Sequence, residues 1–196
     1  MHLLSDSITD EDRHLYGELA IGILDLLTLY DRTLDSIGWF VAGWLQDHPG
    51  GEREAGVSLS TWGRERDGDR AAAFVRIADL AEVPGDRTLF VNAFNRVKNT
   101  RDHFAHAPAM NAMTTDGAAR IGVPHYHENR RVRGLDAQRS SVDLAQIRKR
   151  IRESEWLMQQ VNFAIHNTGQ RGGPFAGSPR QTTPPPARVP RASPAS

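Results

Sequence analysis

Between Asp10 and Gln46 the apolar residues Leu19, Ile23, Leu26/Leu27, Tyr30, Leu34, Ile37, Val41 and Trp44 recur at steps of three and four. Such steps keep one stripe on one side of an α-helix. Thr9 is placed to cap its start, with Asp10, Glu11 and Asp12 at the positive end of the dipole. A straight helix of this length would run about 55 Å, so a bend or break near Gly38 is expected. His48-Pro49-Gly50-Gly51 ends the pattern. Asp25, Asp31, Arg32 and Asp35 interrupt the most apolar stretch. A membrane span needs roughly 20 mostly uncharged residues, so this is a core helix and no membrane association is expected.

The remaining segments are read against that helix. Residues 47–69 contain Gly50, Gly51, Gly56, Gly63 and Gly68 among many charges and read as a flexible loop. Asp69–Glu82 has helical spacing, with Phe74, Ile77 and Leu80 or Ala81 turned inward, and Pro84-Gly85 breaks it. Asp86 caps a further helix with Leu89, Phe90, Ala93, Phe94, Val97 and Phe104 on its buried side, closed by Pro108. Residues 109–139 are irregular, with a short β-hairpin insertion expected from Ile121–Tyr126 and Arg131–Leu135 around Glu128-Asn129. Ser140 starts a last helix, Ser140 and Asp143 fitting a capping box. Its stripe is Leu144, Ile147, Ile151, Met158, Val161/Asn162 and Ile165, and Asn167–Gly169 ends it. The expected fold is all-α: a bundle of four to five helices over residues 1–167. Residues 168–196 hold seven of the 11 prolines and read as a disordered Pro/Gly/Arg-rich tail.

Composition removes several chemistries. With 196 residues the chain can bury a core without staples, and zero Cys excludes a disulfide scaffold, a thiol nucleophile and Cys-ligated zinc. Phosphate loops of the Walker or dinucleotide kind are absent. The start, Met1-His2-Leu3-Leu4-Ser5-Asp6, lacks the charge and apolar regions of a signal peptide, so a cytoplasmic protein is expected.

The formal net charge of zero conceals a division along the chain. Residues 1–85 hold 7 basic and 16 acidic groups, whereas residues 86–139 hold 9 basic and 5 acidic. Four of the 8 histidines, His103, His106, His125 and His127, fall in that basic segment. A local positive surplus in an acidic domain suits an anion such as a phosphodiester. A solvated surface with Arg salt bridges is the plain alternative.

Within the segment stands Arg101-Asp102-His103-Phe104-Ala105-His106. On a helix Asp102 and His106 are four apart and share a face, where a carboxylate can fix an imidazole tautomer and raise its pKa. His103 lies on the same face. Arg101 is about 140° away from His106, so both reach one ligand only if the helix distorts near Ala105–Pro108 or if two chains contribute. Arg offers a forked donor for phosphate, and His is suited to move protons near neutral pH.

The stretch Asn99-Thr100-Arg101-Asp102-His103-Phe104-Ala105-His106-Ala107 resembles the signature of the HEPN superfamily (higher eukaryote and prokaryote nucleotide-binding domain). That signature is Arg, a polar residue, a short gap and His, following an amphipathic helix in an all-α bundle. Asp102 stands where Asn is commoner. The likeness covers residues 10–167 in architecture and about eight residues in motif. It implies a metal-independent endoribonuclease, often a toxin or defence factor, needing no cofactor and acting on RNA as a homodimer, sometimes under an antitoxin or regulatory partner. It implies that Arg101 neutralises the scissile phosphate, that His106 is the acid/base, that Asp102 orients His106, and that His103 assists or is a surface residue. Two other readings stay open: a non-catalytic HEPN-fold dimerisation or binding module, and a metal hydrolase with His103, His106, His125 and His127 as ligands.

Overall fold

The computed structural model describes residues 10–105, 111–115, 118–128 and 135–168. Thr9, His106, Pro108 and the tail from Gly169 onward lie outside them. The chain is an all-α bundle of five helices among the described residues: α1 (Asp10–Asp47), α2 (Gly51–Ala55), α3 (Asp67–Leu80), α4 (Arg87–Ala105) and α5 (Leu144–Thr168). Three strands, β1 (Asn111–Thr115), β2 (Ala118–Glu128) and β3 (Leu135–Asp143), separate α4 from α5. They form one antiparallel sheet in the order β1-β2-β3. Of the expected hairpin, Ile121–Tyr126 lies within β2, while residues 129–134 are outside the described residues; the β2–β3 pairing runs from Arg120 opposite Asp143 to Glu128 opposite Leu135. No helix of the described residues is long and apolar enough to cross a membrane.

Helix α1 is one continuous element of 38 residues, about 57 Å long, without the break expected near Gly38. Its stripe is buried as the spacing requires, from Leu19 through Ile23, Leu26, Tyr30, Leu34, Ile37 and Val41 to Trp44. Its end is built by His48, whose Nδ1 lies 2.8 Å from the Trp44 carbonyl and whose ring stacks on Trp44 at 4.3 Å. Gly50 follows at φ 90°, a left-handed conformation that costs glycine nothing. The expected loop 47–69 contains α2, a 3₁₀ turn at Trp62–Arg64 and the first turn of α3.

The chain divides into two compact units, one of residues 28–97 with 152 onward, the other of residues 1–27 with 98–151. In the first, rings run in sequence: Phe40 to Phe74 at 5.0 Å, Phe74 to Phe90 at 4.7 Å, Phe90 to Phe94 at 6.5 Å and Phe94 to Tyr30 at 5.7 Å. Trp156 joins Phe90 at 6.5 Å. The buried Tyr30 hydroxyl donates to Asp67 Oδ2 at 2.8 Å, so its polar end is satisfied. Helix α3 turns Ala71, Ala73, Phe74, Ile77 and Ala78 inward; of the expected alternatives Leu80 or Ala81, Leu80 is exposed and Ala81 is half-buried. It ends in a Schellman motif, with Glu82 N–H donating to Asp79 O and Val83 N–H to Ala78 O. Glu82 holds the left-handed position at φ 52°. Arg87 reinforces that end by donating to the Asp79 carboxylate at 2.7 Å, to Ala78 O at 3.0 Å and to Val83 O.

In the second unit Leu19, Ile23 and Leu26 of α1, Phe104 of α4, Val142 of β3 and Ile147 of α5 are buried. Gly22 allows α1 and α5 to approach closely, since a Cβ there would lie 3.0 Å from Ile147 Cγ2. Arg148 of α5 pairs with Glu18 of α1 at 3.3 Å. Helix α5 begins at Leu144, not at Ser140. Its capping box is three residues later than expected: Gln146 N–H donates to Asp143 Oδ1 at 2.8 Å, and Asp143 N–H to Gln146 Oε1 at 3.1 Å. Residues Ser140–Asp143 extend along β2, and that pairing displaces the alternative cap.

Candidate functional site

Helix α4 places the Arg101 motif. Asp86 Oδ1 accepts from Leu89 N–H at 2.8 Å and caps the helix as expected. Buried residues then follow at Phe90, Phe94, Val97 and Phe104. Steps of four and three leave a gap of seven between Val97 and Phe104, and Arg101 stands in it. A cation therefore occupies a position on the apolar side of the helix, and its side chain is only 25% exposed. Half-burying a guanidinium is unfavourable unless it is matched by charge or hydrogen bonds.

Asp102 provides the match. Arg101 Nη1 donates to Asp102 Oδ1 at 3.0 Å, and Lys98 Nζ donates to Asp102 Oδ2 at 2.5 Å. Burial would push the Asp102 carboxyl up, but the hydrogen bonds and charges of Lys98 and Arg101 outweigh it and hold the pKa below the ordinary carboxylate value. Asp102 is thus an anion between two cations. On the next helix Arg150 Nε donates to Thr100 Oγ1 at 3.2 Å, joining α5 to the residue beside Arg101.

The structure brings Arg101 and Asp102 into direct contact and leaves His103 half-buried on the same helix. His106 lies outside the described residues, so the Asp102–His106 contact expected from spacing is not part of the described geometry. His125 and His127 lie on β2, opposite Gln138 and Asp136 in register. Among the described residues no group of three or more His, Asp or Glu side chains is placed to hold a metal ion.

Lys98, Thr100 and Arg150 were not singled out by the sequence motif. Lys98 could have been found from its i, i+4 relation to Asp102. The Thr100–Arg150 contact joins residues 50 apart and has no local signature. What the arrangement offers chemically is a fixed cationic group at the end of a helix, able to hold an oxyanion, with histidines adjacent in sequence. No protein-family model, no curated protein and no solved structure matches the chain.

Proposed function

We propose that the protein is a metal-independent endoribonuclease of the HEPN type. The observation that carries this reading is Arg101, a cation held on the apolar side of α4 by Asp102, which Lys98 also pairs with, five residues before His106. A half-buried guanidinium at the end of a helix, in a basic segment of an otherwise acidic chain, is suited to neutralise a scissile phosphate. His106 then takes the proton of a ribose 2′-hydroxyl as its oxygen bonds to phosphorus. The bond from phosphorus to the 5′ oxygen breaks, and that oxygen receives a proton, from the second His106 of a pair. Asp102 acts as the counter-ion that positions Arg101.

Two copies supply the composite cleft that the angle between Arg101 and His106 calls for. The α1 stripe is buried within the chain, so pairing would use what is left exposed, of which Ile21, Leu24 and Trp39 are the large apolar groups on α1. Sedimentation as a monomer at micromolar concentration would remove the composite cleft.

The test is single-stranded RNA incubated with the protein in EDTA. Cleavage leaving a 2′,3′-cyclic phosphate and a 5′-hydroxyl is expected. His106→Ala should lower the rate by about two to four orders of magnitude and Arg101→Ala by about two to three. RNA left intact across the pH range by a folded protein refutes the reading. Activity lost in EDTA, restored by zinc and abolished by His125→Ala or His127→Ala identifies a metal hydrolase.

A further inference from the structure

Arg101 is half-buried on α4, and Arg150 is half-buried on α5. Arg150 follows the fully buried Ile147 by one turn. At about 100° per residue on α4, Thr100 and Asp102 flank Arg101 on opposite sides. Arg150 is tied to the first flank through Thr100 at 3.2 Å, and Lys98 to the second through Asp102 at 2.5 Å. The two helix segments, residues 98–105 and 144–151, carry Lys98, Arg101, Arg148, Lys149 and Arg150 against the single acid Asp102. Glu18 of α1 adds a carboxylate, directed to Arg148 at 3.3 Å. By sequence these two segments therefore carry a net positive charge, which attracts a polyanion.

We propose that Lys98 and Arg150 flank Arg101 as one phosphate-binding set for single-stranded RNA, each contacting a phosphate next to the scissile one. The ligand follows from the ribonuclease reading; the cation set stands on its own geometry. Arg150 and Lys98 are positioning residues. They hold the backbone in register with Arg101 and touch no reacting bond.

The experiment measures binding of a fluorescent single-stranded RNA 20-mer, in EDTA and the His106→Ala background, as a function of salt. Cleavage is measured separately with His106 intact. Each phosphate contact on a single strand contributes about 0.7 to the slope of log affinity against log salt. Arg150→Gln and Lys98→Gln should each lower that slope by about 0.7 and weaken binding about threefold to tenfold at low salt. The charge-retaining Arg150→Lys and Lys98→Arg should keep the slope. Thr100→Val removes the tie between helices but no charge. It should lower the melting temperature and leave the slope unchanged, as should the remote Arg64→Gln for the slope.

If RNA is bound and cut while Arg150→Gln and Lys98→Gln keep the wild-type slope, the phosphate set is overturned and the ribonuclease reading survives. If both slopes fall but RNA is never cut, the phosphate set stands and the ribonuclease reading fails. RNA that is not bound at all overturns both. Equal affinity for polyglutamate of the same charge also overturns the set, since it would show no preference for phosphodiesters.

Discussion

Replacing Asp102 by Asn separates two roles that the same carboxylate could have. The variant keeps the side-chain shape and removes one negative charge between Lys98 and Arg101. For stability, two charge-assisted hydrogen bonds are weakened. The partners are about three-quarters buried, so the loss lies between that of an exposed pair and that of a buried one, about 1–2 kcal/mol. For a chain of this size that is about 2–8 °C in melting temperature. For RNA binding the sign reverses. A unit charge about 5 Å from a bound phosphate in water-like surroundings repels it by about 0.8 kcal/mol, so its removal should tighten binding about fourfold. Fluorescence anisotropy with an RNA oligonucleotide and a thermal melt by circular dichroism measure the two quantities. The pH dependence gives a third. Because the folded pKa of Asp102 is depressed, its contribution is fully present above the unfolded value of about 3.9 and is lost as pH falls through the folded value. The wild type should therefore lose more stability on acidification than the Asn variant. If Asp102→Asn instead weakens RNA binding as strongly as Arg101→Ala, the carboxylate is required to aim Arg101, and the argument from charge competition is wrong.

Other expectations concern the scaffold. Glu82→Gly should stabilise the protein by about 1 kcal/mol, because φ 52° suits glycine at the end of α3; a denaturant melt that shows destabilisation would mean the Glu82 side chain contributes contacts. Asp143→Ala should lose about 1 kcal/mol by breaking the capping box of α5, whereas Ser140→Ala should cost much less, and comparing the two by urea unfolding checks where the helix begins. Phe94→Ala removes a fully buried ring next to Tyr30 and Phe90 and should cost about 3–5 kcal/mol, a fall of more than about 6 °C in a thermal melt.

The long helix and its buried side were legible because one period repeats through α1 without interruption. The start of α5 was not, because Ser140-x-x-Asp143 and Asp143-x-x-Gln146 both satisfy the local capping rule. The choice between them is made by β3 pairing with β2 through Val142 and Asp143, which no helix pattern reports. Trp156 was missed for a related reason: a stripe counted along aliphatic residues skips the ring that joins Phe90. At the site, Arg101 was found through its motif, yet a second signal was also in the sequence. The gap between Val97 and Phe104 marks a charged residue on the buried side. Lys98 was legible through its i, i+4 spacing from Asp102, whereas Arg150 needed three dimensions, since its partner Thr100 is 50 residues away.

Asp143 is both the last residue of β3 and the cap of α5, so strand and helix are spliced with no linker between them. A single residue inserted after Asp143 would turn the whole of α5 by about 100° relative to the sheet. It would carry Arg150 away from Thr100 and Ile147 away from Gly22. Natural length variation among relatives of this protein should therefore be excluded from the junction, a pattern set by helical phase alone.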